Sequence, residues 1–108
     1  MTKPLLEQRC LPLEGQPAFT PAQIESHLSL VSGWALAGSA IEKTFRFADY
    51  PRTMAFANAV ALIAQAEDHH PEMQVAWGRV TVRFDTHSVG GISINDFICA
   101  AKVDALVP

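Results

Sequence analysis

Residues 40–71, AIEKTFRFADYPRTMAFANAVALIAQAEDHHP, change their period in mid-stretch, and that change decides the fold. From Ile41 to Phe47 the side chains alternate. Ile41, Lys43, Phe45 and Phe47 fall on one side and Glu42, Thr44 and Arg46 on the other, the pattern of a strand with one wet face. From Asp49 the spacing becomes helical: Asp49 stands near the cap, Pro51 lies in the first turn, and Phe56, Val60, Ile63 and Ala66 or Glu67 recur every three or four residues. The helix is expected to end in Asp68-His69-His70. A residue before proline is pushed out of the helical region, so Pro71 places His70 beyond the helix and leaves His69 at its frayed end.

Working upstream, WALAG completes a hairpin with the Ile41 strand through Gly38-Ser39. Before it, FTPAQIESHLSLVSG carries several helix-start signals: Thr20 can cap, Pro21 suits the first turn, and Gln23 completes a capping box. Phe19 and Ile24 occupy staple positions, Ile24, Leu28 and Val31 form one apolar stripe, and Gly33 is the expected stop. Residues 1–18 read as an irregular arm of a single domain spanning 1–108.

Downstream, MQVAW turns at Gly78 into RVTVRFDTH, where Val80, Val82 and Phe84 alternate with Thr81, Arg83 and Asp85, and His87 stands at the strand end. Gly90-Gly91 makes a tight loop without the GxGxxG spacing of a phosphate-binding turn. The chain closes as a helix with Ser93 as cap and Asp96 three residues on. The order helix, hairpin, helix, hairpin, helix favours a two-layer α+β fold, a four-stranded antiparallel sheet with helices packed on one face, because so small a sheet must bury one side.

Composition narrows the function classes. The 108 residues make one domain with a modest core, and 49% hydrophobic with 18% charged residues is ordinary for a globular protein. A net charge of -3 without a Lys/Arg cluster argues against direct nucleic-acid binding. Pro4, Pro12 and Pro17 interrupt any signal-like apolar segment, and no run approaches the ~20 apolar residues of a membrane span, so a cytoplasmic location is expected. Cys10 and Cys99 are far apart and without CxxC spacing; neither a disulfide framework nor a zinc site is expected, and Cys99 reads as a small core hydrophobe.

The chemistry therefore rests on histidines. His27 lies beside the apolar stripe of the first helix and reads as a boundary residue. His69, His70 and His87 all fall at element ends, where a packed scaffold can present side chains to a cleft. Each also has a plain alternative: an imidazole at a helix C-terminus gains about 0.3–1 kcal/mol from the dipole, and His87 could be a rim residue. Zinc is disfavoured because no HxxxH spacing puts two imidazoles on one face, and no GxSxG elbow supplies a nucleophile. General acid/base work suits imidazole, which titrates near pH 6.5.

His69-His70-Pro71, Trp77 six residues after Pro71, His87 and Asp96 together resemble the pterin-4a-carbinolamine dehydratases, as do Gly33-Trp34, FRFADY and AFANAVALIA. The resemblance covers most of the chain from about Ser32. It implies a two-layer α+β fold, a homodimer or homotetramer, and dehydration of a 4a-hydroxytetrahydropterin to the quinonoid dihydropterin during cofactor recycling for an aromatic amino acid hydroxylase. No metal or organic cofactor is implied. His69, His70 and His87 would be catalytic, with Gln65, Asp96 and Trp77 toward the pterin. Gln65 departs from the acidic residue common at that position, and Met73 from an aromatic found in some relatives. Asp96 could equally serve only the Ser93 cap, and Trp77 only a core or interface. A competing class stays open: a non-catalytic dimerisation or assembly protein, or a transcriptional coactivator, on the same fold.

Overall fold

A computed structural model describes residues 3–107. Its elements follow the expected order: α1 (Pro21–Leu28), β1 (Ala35–Ala37), β2 (Ala40–Arg46), α2 (Tyr50–Glu67), β3 (Glu72–Ala76), β4 (Arg79–Phe84) and α3 (Ile94–Asp104), with short 3-10 turns at Leu5–Glu7 and His87–Val89. The strands form one antiparallel sheet in the order β1-β2-β4-β3, so the two longest strands are central. This is the two-layer α+β arrangement the hairpin-helix order predicts.

Register makes the two sheet faces chemically distinct. Ile41 faces Phe84, Lys43 faces Val82 and Phe45 faces Val80, and all but Lys43 are buried. Full burial of one such apolar side chain is worth about 1.5–3 kcal/mol. The intervening pairs are polar: Thr44 and Thr81 share a hydroxyl hydrogen bond of 2.8 Å, and Arg83 Nη1 donates to Glu42 Oε2 at 2.8 Å. Lys43 sits on the apolar side because its ammonium reaches the layer edge, donating to Ser32 O at 2.9 Å and Asp104 Oδ1 at 3.0 Å. Asp104 also accepts from Trp34 Nε1, which ties the end of α3 to the start of the first hairpin.

α2 packs through Thr53, Phe56, Ala57, Val60, Ala64 and Glu67. Phe56, Val60 and Glu67 stand where the helical stripe was expected, Ile63 is only half-buried, and Ala57 and Ala64 let the helix lie close to its neighbours. Asp49 caps the helix by accepting from Arg52 N at 2.9 Å.

Several boundaries shift from the sequence reading, and three of the shifts have a clear local setting. α1 ends at Leu28 and not near Gly33, because Ser26 Oγ and His27 Nδ1 both bond the Gln23 carbonyl and Ser29 Oγ takes that of Ser26, competing with the helical ladder. Val31 is nonetheless buried. β4 stops at Phe84, and Thr86 pairs with Gly91 across the turn that holds His87. α2 ends at Glu67, so His69 lies outside the helix.

The last difference has a backbone cause. Asp68 adopts φ 51°, ψ 44°, the left-handed conformation, and is the sole non-glycine with positive φ among the described residues. His69 N then donates to Ala64 O at 3.0 Å and Asp68 N to Gln65 O at 3.4 Å, the paired bonds of a Schellman end. Aspartate tolerates this conformation better than a branched residue does. Asp68→Val is expected to lower unfolding free energy in urea by about 1–2 kcal/mol, whereas Asp68→Gly is expected to cause no loss; equal stabilities of the two would contradict a strained helix end.

Candidate active site

The reversal at Asp68 delivers His69 against the sheet and the start of α3. Its ring lies parallel to that of fully buried Phe84, 9° between planes and 5.8 Å between centroids. Its Nε2 lies 2.6 Å from Asp96 Oδ1, with 11% of the His69 side chain exposed and none of Asp96. A carboxylate can only accept, so Nε2 carries the proton and donates, which leaves Nδ1 as the nitrogen available for other chemistry.

Asp96 is itself held from three directions. Its second oxygen accepts from Ser93 N at 2.9 Å and from Thr86 Oγ1 at 2.9 Å. Because Thr86 gives its proton to Asp96, Ser93 Oγ must donate to Thr86 Oγ1 across their 2.7 Å contact, while accepting from Asn95 N at 3.1 Å. The two readings of Asp96 are thus not exclusive: it completes the α3 capping box and grips His69 with its other oxygen. Among the described residues no buried side-chain nitrogen or oxygen lacks a partner.

His69, with Asp96 buried behind it, borders a cavity of about 180 Å³ lined also by Cys10, Leu13, Glu67, Thr86 and Asn95, among others. One wall is the N-terminal arm. Glu67, 5% exposed, accepts from Cys10 N at 2.8 Å and pairs with Arg9 Nε at 2.8 Å. Across the arm, Asn95 Nδ2 donates to Leu11 O at 2.8 Å, and Leu11 N returns a bond to Asn95 Oδ1 at 3.3 Å.

Of the residues singled out from sequence, the structure joins His69 and Asp96 directly. His70 follows His69 in the chain and is exposed; His87, also exposed, opens the turn immediately after Thr86. Gln65 is exposed on the last turn of α2. Trp77 is not in this group: its carbonyl accepts from Thr53 Oγ1 at the opposite end of α2, about 20 Å away at 1.5 Å rise per residue, and its side chain is 67% exposed. Thr86, Ser93, Glu67 and Asn95 carry the supports that sequence reasoning passed over. Ser93 had a local signal as a cap and Glu67 as a candidate for the α2 stripe; neither signal showed its partner across elements. Among the described residues no cluster of three or more His, Cys, Asp or Glu offers a metal-ligand set.

Fold and geometry together define a class: small α+β proteins in which a carboxylate-held histidine sits where a helix returns to an antiparallel sheet. A family model described as pterin 4 alpha carbinolamine dehydratase matches residues 17–106. The chain belongs to the pterin-4a-carbinolamine dehydratase family. A protein of Chromobacterium violaceum is 49% identical over 102 residues, covering 94% of each chain. One of Xanthomonas campestris pv. campestris is 55% identical over 106 residues, covering 95% of this chain and 90% of its own. Both carry pterin-4-alpha-carbinolamine dehydratase as a provisional name. Among solved structures, a transcriptional coactivator/pterin dehydratase from Brucella melitensis matches with a TM-score of 0.81 at 32% identity, over 84% of this chain and 99% of that one. A pterin dehydratase-like protein identified as a RuBisCO assembly factor in the alpha-carboxysome matches with a TM-score of 0.56 at 27% identity, over 68% and 84%.

Proposed function

We propose that this protein dehydrates 4a-hydroxytetrahydropterin to the quinonoid dihydropterin and water by histidine general acid/base catalysis. The observation that carries the reading is the 2.6 Å pair of His69 and Asp96 at the edge of a cavity, with two more histidines on the adjoining turns. The reaction needs a proton delivered to the C4a hydroxyl as the C–O bond breaks, and another removed from N5 as the C4a–N5 double bond forms. With Nε2 committed to Asp96, His69 would work through Nδ1. His69 and His87 would act on the departing hydroxyl; His70 would bind the pterin and assist deprotonation at N5. At about 180 Å³ the cavity is smaller than the ~300 Å³ usual for a whole drug-sized ligand, so it would take the reacting edge of the pterin and leave the rest over the exposed rim.

His70 and His87 are exposed, so removing either imidazole has little to destabilise. His70→Ala and His87→Ala should each lower kcat/KM on a synthetic carbinolamine by about tenfold or more at unchanged melting temperature. Wild-type activity in both, and in a His69 variant, would sink the assignment.

Supply of recycled pterin to an aromatic amino acid hydroxylase, a cytoplasmic location, and assembly as a homodimer or homotetramer belong to the same proposal. For assembly, the supporting features are two open sheet edges, β1 and β3, with Leu36 and Val75 exposed on them. A second reading is supported by the two solved relatives, one described as a transcriptional coactivator/pterin dehydratase and the other as a RuBisCO assembly factor: a binding protein without turnover. Gln65 is its foothold, being an amide where relatives commonly have a carboxylate. Assay of wild type beside Gln65→Glu separates the two readings; no turnover by either would favour the binding role.

A further inference from the structure

The two cysteines, 89 positions apart, meet: Cys10 Sγ lies 3.5 Å from Cys99 Sγ. The meeting is built by the arm. Glu67 fixes the Cys10 amide, Asn95 fixes both polar groups of Leu11, and Cys10 Sγ also reaches Asn95 O at 3.6 Å, one helical turn before Cys99. Two thiols in van der Waals contact need to approach by roughly 1.5 Å to reach the ~2.05 Å of a disulfide, a movement within side-chain reach. We infer that Cys10 and Cys99 are an oxidative modification site, a dithiol that hydrogen peroxide converts to an intramolecular disulfide, fixing the arm covalently as a wall of the His69 cavity.

The partners have distinct roles. Cys99 is fully buried. Its thiol is pushed far above the ordinary range by its hydrogen bond with Cys10, then by burial and the nearby carboxylates of Glu67 and Asp96, so it remains protonated. Cys10 is half-buried and borders the cavity, through which a molecule the size of peroxide reaches it. The Cys10 thiolate attacks one peroxide oxygen, the O–O bond breaks, and the hydroxide released takes up a proton, leaving a sulfenic acid. The Cys99 sulfur then attacks the Cys10 sulfur. The S–O bond breaks, and the departing hydroxide leaves as water with the Cys99 proton. In total two thiols lose two electrons and one peroxide becomes two waters. Thiol reductants reverse the step by exchange.

The test uses the full chain, folded, treated with a small excess of hydrogen peroxide, with remaining thiols then alkylated. The expected product is a monomer lighter by two hydrogens, with a linked Cys10–Cys99 peptide and a melting temperature raised by about 10 °C or more, because the closed loop is long; dithiothreitol should restore the starting values. Cys10→Ala should show neither change. In Cys99→Ala the reaction should stop at Cys10 sulfenic acid, trapped by dimedone, a signal that does not depend on the variant's stability. Oxidation of wild type to sulfinic acid or to disulfide-linked dimers, without the linked peptide, would overturn the inference. The readout is thiol chemistry and stands apart from any assay of pterin turnover.

Discussion

His69→Gln is expected to give a folded protein whose kcat/KM on a 4a-carbinolamine, the substrate of the proposed reaction, falls by about 10²–10⁴-fold, the usual worth of a positioned general acid or base. Glutamine is chosen because its amide can still donate to the buried Asp96 oxygen that now accepts from Nε2. What it cannot do is exchange a proton near neutrality. His69→Ala would confound the two functions, since it also leaves a carboxylate oxygen at zero exposure without its donor, at about 1–3 kcal/mol. The measurement is steady-state kinetics beside thermal melts of both variants. A Gln variant that retains wild-type turnover would remove His69 from the chemistry.

Asp96→Ala is the substitution expected to damage stability most, by about 3 kcal/mol or more. Three donors lose their acceptor at once: His69 Nε2, Thr86 Oγ1 and Ser93 N. For a domain this size that corresponds to a fall in melting temperature of about 12–20 °C. Asp96→Asn should cost roughly half as much, keeping one acceptor oxygen for Ser93 and Thr86 while presenting an amide donor to His69. The imidazole must then accept at Nε2 and carry its proton on Nδ1, the opposite tautomer. Activity should therefore collapse in the Asn variant well beyond what its stability explains. A melting temperature for Asp96→Ala within a few degrees of wild type would show that the network is dispensable.

Local signals made most of the fold legible. The switch from alternation to helical spacing at Asp49, the Thr20 and Ser93 capping boxes, and the turns at Gly38 and Gly78 each lie within a few residues, and each stands where it was read. Errors came where side chains compete with the backbone. Ser26, His27 and Ser29 shorten α1, and an aspartate occupies the left-handed position usually signalled by glycine, which moves His69 out of the helix. The site was less legible because its bonds cross elements. His69 and Asp96 are 27 positions apart, and nothing periodic pairs them. The arm shows this most plainly: with no alternation or helical stripe it reads as a bystander, yet Arg9, Cys10 and Leu11 are bonded to α2 and α3 through Glu67 and Asn95. Contacts made by backbone amides leave no trace in residue pattern.

The chain Ser93–Thr86–Asp96–His69 fastens the end of one hairpin to the start of α3, so it is a joint of the scaffold as well as part of the candidate site. A descendant that gave up the chemistry would still need the joint. Asp96 and Thr86 would persist in it for mechanical reasons, and their presence in a relative says nothing about turnover. His70 and His87, exposed and outside the joint, would be free to drift in a chain that no longer used the proposed chemistry. Those two positions, and not the buried ones, are where a lost activity would first become visible.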